Sequence, residues 1–199
     1  MSCYVRLLSP SEETLPFSEI QQQGNYILLS EGTEHSWKKI KIYEPRDNLI
    51  AVLERHSIFD DSLEESLVKL NDSIRSSYPV SAREWIRNYL SRVKTIYSFQ
   101  LSGNNITREG WPALGRIQNY LKDSLSGIIQ ADNEGFFNEN GDYILWQMYT
   151  GARGSIPAAT LDENGEWVPY QLKLDDKSIE QFKQGELPKK GFLSRLLGG

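Results

Sequence analysis

Segments with the pattern of β-strands occur in two groups, and segments with the pattern of α-helices lie between them. Residues 1–56 and 127–172 are rich in β-branched and aromatic residues separated by turn sequences, whereas residues 60–126 carry apolar residues at helical spacing. Chains that segregate strands from helices form α+β folds, and chains that alternate them form α/β folds. The sequence therefore predicts an α+β fold: an N-terminal antiparallel sheet, a central three-helix segment, and C-terminal β-hairpins with a short helix and flexible tail.

The N-terminal group contains four strand-like segments. They are residues 4–8, 26–30, 37–44 and 48–54. In the third, Ile40 and Ile42 fall on one face while Lys39 and Lys41 fall on the other, because side chains alternate along a strand. This pattern predicts a sheet with one buried face.

The central segment predicts three helices. Ser62 with Glu65 and Ser81 with Glu84 have the spacing of capping boxes, in which a hydroxyl and a carboxylate satisfy backbone amides at a helix start. Apolar stripes at a period of 3.6 residues follow. The first holds Leu63, Leu67, Leu70 and Ile74, the second holds Ile86, Tyr89, Leu90, Val93, Ile96 and Tyr97, and the third holds Leu114, Ile117, Leu121 and Leu125. Gly127 is the predicted end of the third helix.

Two Glu-Asn-Gly sequences predict hairpin turns in the C-terminal group, because Asn-Gly readily adopts positive φ angles. The turn at 139–141 joins strands at 135–138 and 142–149, and the turn at 163–165 joins strands at 158–161 and 166–170. Pro169 lacks a backbone donor, which predicts that the last strand lies at a sheet edge. Asp175 and Asp176 are predicted to cap a short helix that carries Ile179 and Phe182.

The single cysteine and the acidic charge narrow the function classes. Cys3 cannot form an internal disulfide, and the two histidines are isolated, so no zinc site is expected and a reducing, cytoplasmic location fits best. A net charge of −5 disfavours binding to phosphate backbones, so no nucleic acid partner is expected. Phosphate-loop, nucleophile-elbow and His-Glu-x-x-His motifs are absent from the sequence, and no cofactor is expected.

If the chain is an enzyme, the acidic residues at 132–142 are its candidate catalytic groups. Glu134 and Asp142 form the least arbitrary carboxylate pair for acid–base work, and Arg153 is a candidate anion ligand. The same stretch offers oxygen ligands for a hard cation, but its spacing differs from that of an EF-hand loop. Asp, Asn and Gly also suit β-turns for reasons of backbone geometry, so no metal is expected. A metal-dependent hydrolase that uses these acidic residues remains an alternative.

Aromatic residues near the C-terminal hairpins form a second candidate surface. It holds Trp146, Tyr149, Trp167 and Tyr170. Alternation along residues 142–149 places apolar side chains on both faces of that strand. Internal packing of both faces is favoured, and a binding surface is the alternative.

The last eleven residues differ in composition from the rest of the chain. Residues 189–199 follow Pro188 and carry three positive charges and no negative one, so the sequence predicts one domain at 1–188 and a separate tail. The candidate binding residues of the tail are Phe192, Leu193, Arg195, Leu196, Leu197 and Gly199. Burying four apolar side chains is worth ~6–12 kcal/mol, whereas ordering such a segment costs a comparable ~9–18 kcal/mol. A membrane surface therefore binds the tail weakly, and a preformed protein groove is favoured.

These observations lead to three hypotheses about function. The first is a cytoplasmic, non-enzymatic interaction or adaptor protein whose tail docks on a protein partner. The second is the hydrolase described above. The third follows from Arg195-Leu196-Leu197-Gly198-Gly199, an end that resembles those of ubiquitin-like modifiers and sulfur carriers. That resemblance implies conjugation through the terminal carboxylate, although three long helices depart from the compact fold of that group.

Overall fold

The computed structural model describes residues 3–24, 27–44, 47–77, 80–102, 106–146, 154–162, 164 and 166–174. Its strands are β1 (Cys3–Ser9), β2 (Ile27–Glu31), β3 (Lys39–Glu44), β4 (Asn48–Ser57), β5 (Thr95–Leu101), β6 (Ile128–Ala131), β7 (Gly135–Phe137), β8 (Tyr143–Trp146), β9 (Gly154–Leu161) and β10 (Trp167–Leu174). Its helices are α1 (Phe17–Gln21), α2 (Asp61–Ile74), α3 (Val80–Leu90) and α4 (Gly110–Leu125). The predicted α+β class is confirmed.

The strands form one ten-stranded sheet in the order β10-β9-β8-β7-β6-β1-β5-β4-β3-β2. Every pair of neighbours is antiparallel except β8 and β9, which are parallel. β1 pairs with β5 on one side and with β6 on the other. It therefore joins the N-terminal and C-terminal groups of strands into one sheet.

β5 corrects the sequence interpretation of the central segment. Ile96 and Tyr97 were expected to extend the second helical stripe, but α3 ends at Leu90 and Thr95–Leu101 is a strand between β1 and β4. All of its residues except Gln100 are buried. A strand buried on both faces has no alternation of apolar and polar residues, and its apolar run cannot be distinguished from a helical stripe by periodicity.

The face of the sheet that carries α1 and α4 holds the larger apolar core, and we call it the α4 face. It receives alternate residues of the central strands, including Val5, Leu7, Tyr97, Phe99, Leu53, Ile40 and Ile42. Leu114, Ile117, Leu121 and Leu125 of α4 pack against them at the predicted helical spacing. The predicted alternation in β3 is confirmed, since Ile40 and Ile42 are buried and Lys39 and Lys41 are partly exposed.

The opposite face carries α2 and α3, and we call it the α2 face. Leu8, Ile96, Ile128 and Phe136 of the sheet pack against buried residues of the two helices, which include Leu63, Leu70, Ile74, Ile86 and Leu90. Along β1 this apolar packing ends at Leu8, and the next residues on the same face are Arg6 and Tyr4. The α2 face is therefore apolar at one end and polar at the other.

The starts of two helices differ from the predicted capping boxes. α2 begins at Asp61 after Asp60, so Ser62 lies inside the helix. Ser57 donates its backbone N–H and its hydroxyl to the Asp60 carboxylate. Asp60, and not Ser62, is therefore the residue that precedes the helix. α3 begins at Val80, one residue before the predicted cap at Ser81.

Predictions for the end of α4 and for the hairpins are confirmed. α4 ends at Leu125 just before Gly127, where a Cβ atom would lie 2.5 Å from the carbonyl oxygen of Leu8. β7 pairs with β8 and β9 pairs with β10 in antiparallel register, and β10, which contains Pro169, is an edge strand. Among the described residues, none of the helices has the length and apolar character needed to cross a bilayer. The predicted helix after Asp175 and the tail lie outside the described residues.

Candidate functional site

A row of polar side chains crosses the α2 face at one level. Gln130, Arg6, Ser98, Glu54 and Lys39 occupy neighbouring register positions on β6, β1, β5, β4 and β3. Residues that are paired across antiparallel strands point to the same face and lie within contact distance. These five residues, which we call the polar row, are therefore brought together by strand pairing although they are distant in sequence.

A cavity of about 520 Å³ lies between the polar row and α2. Its floor is formed by Arg6, Glu54, Ser98 and Gln130, its helical wall by Ser66, Lys69, Leu70 and Ser73, and its rim by Tyr4, His56, Asp132 and Asn133. Ligand sites in proteins commonly measure about 300–1,000 Å³. This polar cavity is the size of a small-molecule site.

Arg6 organises the floor of the polar cavity. Its Nη1 donates to Gln130 Oε1 and Asp132 Oδ1, both at 2.5 Å, and its guanidinium carbon lies 4.9 Å from the centre of the Tyr4 ring. The Tyr4 backbone N–H donates to the second Asp132 oxygen at 3.2 Å. Because the guanidinium is held by a carboxylate, an amide and an aromatic ring, its position is fixed before any ligand binds.

Glu54 and His56 lie side by side on β4. Lys39 Nζ is 2.8 Å from Glu54 Oε1, and the other Glu54 oxygen is 3.9 Å from His56 Nε2. Burial lowers the pKa of His56 below its usual value, and the nearby Glu54 and Asp60 carboxylates oppose that shift only in part. His56 is therefore neutral at pH 7.

His56 lies between Ser62 and Glu54, which is the arrangement of residue types found in a catalytic triad. The Ser62 hydroxyl is 2.9 Å from His56 Nδ1, which is within hydrogen-bond reach. The 3.9 Å between His56 Nε2 and Glu54 is too long for the hydrogen bond that orients the base in a triad, and Glu54 is already paired with Lys39. The Ser62–His56 contact instead joins the start of α2 to β4.

Cys3 does not have the electrostatic environment of a nucleophile. Burial, together with the Asp132 and Glu134 carboxylates, raises the pKa of the Cys3 thiol to about 11. The thiolate is the reactive form of cysteine, so a raised pKa leaves the thiol unreactive near neutrality.

A second exposed feature lies where β4 turns into α2. We call residues 57–61 the β4–α2 corner. Phe59 is 82% exposed and Ile58 is 46% exposed there. The backbone of the corner is held by the Ile58 N–H donating to the Lys94 carbonyl at 3.0 Å and by the Asp60 N–H donating to the Ser57 carbonyl at 2.8 Å. The corner thus presents two apolar side chains to solvent from a fixed backbone.

Acidic residues surround the β4–α2 corner. Lys38 Nζ lies 2.9 Å from Asp60 Oδ1, and this hydrogen bond is the main reason that the pKa of Asp60 falls to about 2. Asp61, Glu64 and Glu65 follow on the exposed side of α2. The corner therefore combines an apolar tip with a negatively charged border.

The predicted acidic pair is not brought together. Glu134 lies in the turn before β7 and is 6% exposed, whereas Asp142 lies in the turn after it and accepts a hydrogen bond from the Asn138 amide at 3.2 Å. At about 3.3 Å per residue, the three residues of β7 place about 10 Å of strand between the two turns. No group of three or more His, Cys, Asp or Glu within the described part of the chain is placed to hold a metal ion.

Other predicted site residues have mixed outcomes. Arg153 and the tail residues Phe192, Leu193, Arg195, Leu196, Leu197 and Gly199 lie outside the described residues, so tail docking, the hydrolase and the modifier stay predictions. Of the candidate aromatic surface, Trp167 is half-buried and packs edge-on against Trp85 of α3, with ring centres 5.0 Å apart.

Sequence reasoning did not identify the polar cavity or the β4–α2 corner. The alternation Tyr4, Val5, Arg6, Leu7 was the available signal for the cavity, because it places polar residues on one face of a strand. Ile58-Phe59-Asp60-Asp61 lies between the predicted strand at 48–54 and the first predicted helix, and it carries no pattern that indicates exposure. Searches against protein-family models, curated proteins and solved structures found no match to this chain.

Proposed function

We propose that this chain is a non-enzymatic interaction protein that binds a protein partner through the β4–α2 corner. The observation that carries the proposal is the exposure of Phe59 at 82% on a hydrogen-bonded corner. A few aromatic side chains commonly supply most of the binding energy of an interface. A cytoplasmic location is part of the proposal, because a chain with one cysteine forms no internal disulfide and so does not depend on an oxidising compartment.

The fixed backbone of the corner supports this proposal. Binding costs free energy when loops must be ordered at the interface, and a preformed loop avoids much of that cost. Ser57 and Lys38 both hold Asp60, directly beside Phe59 in the sequence. Phe59 is therefore positioned to enter a partner's pocket without a large loss of backbone freedom.

The charges around the corner define the partner. Asp61, Glu64 and Glu65 form a negative border, so the matching surface is an apolar pocket with lysine or arginine at its rim. Complementary charge speeds association and disfavours acidic competitors. The acidic character of the whole chain favours the same class of partner.

Quantitative pull-downs from the native host test this proposal. The parent chain is compared with Phe59→Ser, with Glu64→Lys, and with Leu28→Ser as a control, since Leu28 is also exposed, at 56%, but lies on edge strand β2. We expect Phe59→Ser to reduce recovery of a partner at least about tenfold. Glu64→Lys should also reduce recovery, and its effect should be smaller at high salt than at low salt because salt screens the charge. Leu28→Ser should not change recovery. Equal recovery with the parent and Phe59→Ser would contradict the proposal.

The tail is a second candidate for partner binding. Its three positive charges and apolar residues follow an acidic chain, and that composition supports docking on a protein groove. Deleting residues 189–199 and repeating the pull-down separates the two proposals. A partner lost on deletion but retained by Phe59→Ser would assign binding to the tail instead of the corner.

A further inference from the structure

We propose that the polar cavity binds an uncharged, hydroxyl-rich small molecule of the carbohydrate class. This inference is independent of partner binding at the β4–α2 corner. It rests on three properties of the cavity: its size, the pairing of its charges and the mixture of donors and acceptors on its surface.

The size of the cavity fits a small polar molecule. Its volume of about 520 Å³ lies in the usual range of ligand sites, which is about 300–1,000 Å³. Leu70 is the only aliphatic side chain among the described residues that line it. A ligand with mainly apolar surface would bury the polar groups of the lining without forming hydrogen bonds to them, which costs free energy, so the ligand must be polar over most of its surface.

The charges on the floor and rim of the cavity are already paired. Arg6 is paired with Asp132 at 2.5 Å, and Glu54 is paired with Lys39 at 2.8 Å. Lys69 lies on the exposed side of α2, where water and salt screen its charge. Apart from Lys69, whose charge is screened, the described lining residues therefore offer an anion or a cation no uncompensated opposite charge, and a net-charged ligand gains little in exchange for its lost hydration.

The hydrogen-bonding groups of the cavity suit hydroxyls. Arg6 has five N–H donors, of which the Nη1 group serves both protein acceptors, and each Glu54 oxygen has lone pairs beyond its present contacts. Ser66 and Ser73 donate to the carbonyls of Ser62 and Leu70, so their oxygens can still accept. Donors and acceptors thus lie side by side. A hydroxyl both donates and accepts, and a ring of hydroxyls matches this mixture better than a purely accepting or purely donating ligand.

Calorimetric titration with a defined panel tests the inference. The probes are glucose, galactose and maltose as neutral sugars, with glucose 6-phosphate and glucuronate as anionic counterparts and glucosamine as a cationic one. We expect at least one neutral sugar to bind and its charged counterparts to bind at least about tenfold more weakly. A charged sugar that binds more tightly than its neutral parent, or a panel in which no neutral sugar binds, would overturn the inference.

Cavity-filling variants locate the binding. Ser66→Leu places a larger side chain in the helical wall, and Ser98→Leu does so in the floor, so two variants are available if one fails to fold. Ser91→Leu is the control, because Ser91 is exposed and lies outside the cavity. We expect the folded cavity variants to lose at least about tenfold in affinity while Ser91→Leu keeps the parent affinity. Unchanged affinity in folded Ser66→Leu would place binding elsewhere and overturn the inference.

Discussion

The two faces of the sheet are built from alternate residues of the same strands, yet they differ in composition. On β1, Val5 and Leu7 point into the apolar core of the α4 face, whereas Tyr4 and Arg6 point into the polar cavity of the α2 face. The strand period of two residues allows this division. A single strand can therefore stabilise the fold with one set of side chains and form a site with the other.

The helices reflect the same difference. α4 buries residues along its whole length, from Gly110 to Leu125, whereas the buried residues of α2 are Leu63, Leu70 and Ile74. The helix that closes a core thus contacts the sheet continuously. The helix that bounds the cavity contacts it at separated points, and the space between α2 and the polar row remains open.

The largest expected effect is the difference in the free energy of unfolding between a variant in the core of the α4 face and a variant in the polar row. Leu7→Ala should lower the free energy of unfolding by about 2–5 kcal/mol, because Leu7 is fully buried and its removal leaves a cavity. Ser98→Ala should change it by less than about 0.5 kcal/mol, because a small hydroxyl beside an open cavity is lost. Urea unfolding of both variants measures the difference. Similar losses would show that the two faces contribute equally to stability.

A smaller effect is expected from the ion pair of the polar row. Arg6→Met should lower the free energy of unfolding by about 1–3 kcal/mol, because Asp132 and Gln130 lose their partly buried donor. Arg87→Met on the exposed side of α3 is the matched control and should change stability by less than about 0.5 kcal/mol. The measurement is again urea unfolding. If Arg6→Met were as stable as the parent, the pair would serve ligand binding alone.

The smallest expected effect concerns pH and the β4–α2 corner. The pKa of Asp60 falls from 3.8 to about 2 on folding, chiefly through the Lys38 hydrogen bond. A carboxyl whose pKa is lowered on folding stabilises the fold at pH values above its unfolded pKa, and this stabilisation is lost as the pH falls through the folded pKa. Asp60→Asn should therefore be less stable than the parent at pH 5, and the gap should shrink as the pH falls towards 2. Urea unfolding across that range tests this, and a gap independent of pH would contradict it.

The sequence predicted most local structure because local structure has local signals. Alternation in β3, the helical stripe of α4, the Asn-Gly turns and the edge position of Pro169 all rest on residues within a few positions of one another. β5 was missed because a strand buried on both faces lacks alternation. Helix starts were displaced because Asp60, rather than Ser62, precedes α2.

The candidate sites were harder to predict because they depend on distant pairing. Arg6 meets Gln130 and Asp132 only after β1 has paired with β6, and Glu54 joins the row only through β5. No periodicity within one segment indicates such a meeting. Phe59 gave no signal either, since the exposure of an aromatic residue at a strand end depends on how the next helix packs.

The position of β1 also affects the timing of folding. β1 is synthesised before both of its neighbours. The first neighbour, β5, is residues 95–101, and the second, β6, is residues 128–131, about 30 residues later in the chain. At about 5–20 residues per second, that delay is about 2–6 s on the ribosome. During it, β1 has an unpaired edge of the kind that other chains can join. The strand that unites the finished sheet therefore waits for its second partner with one edge open while the chain is being made.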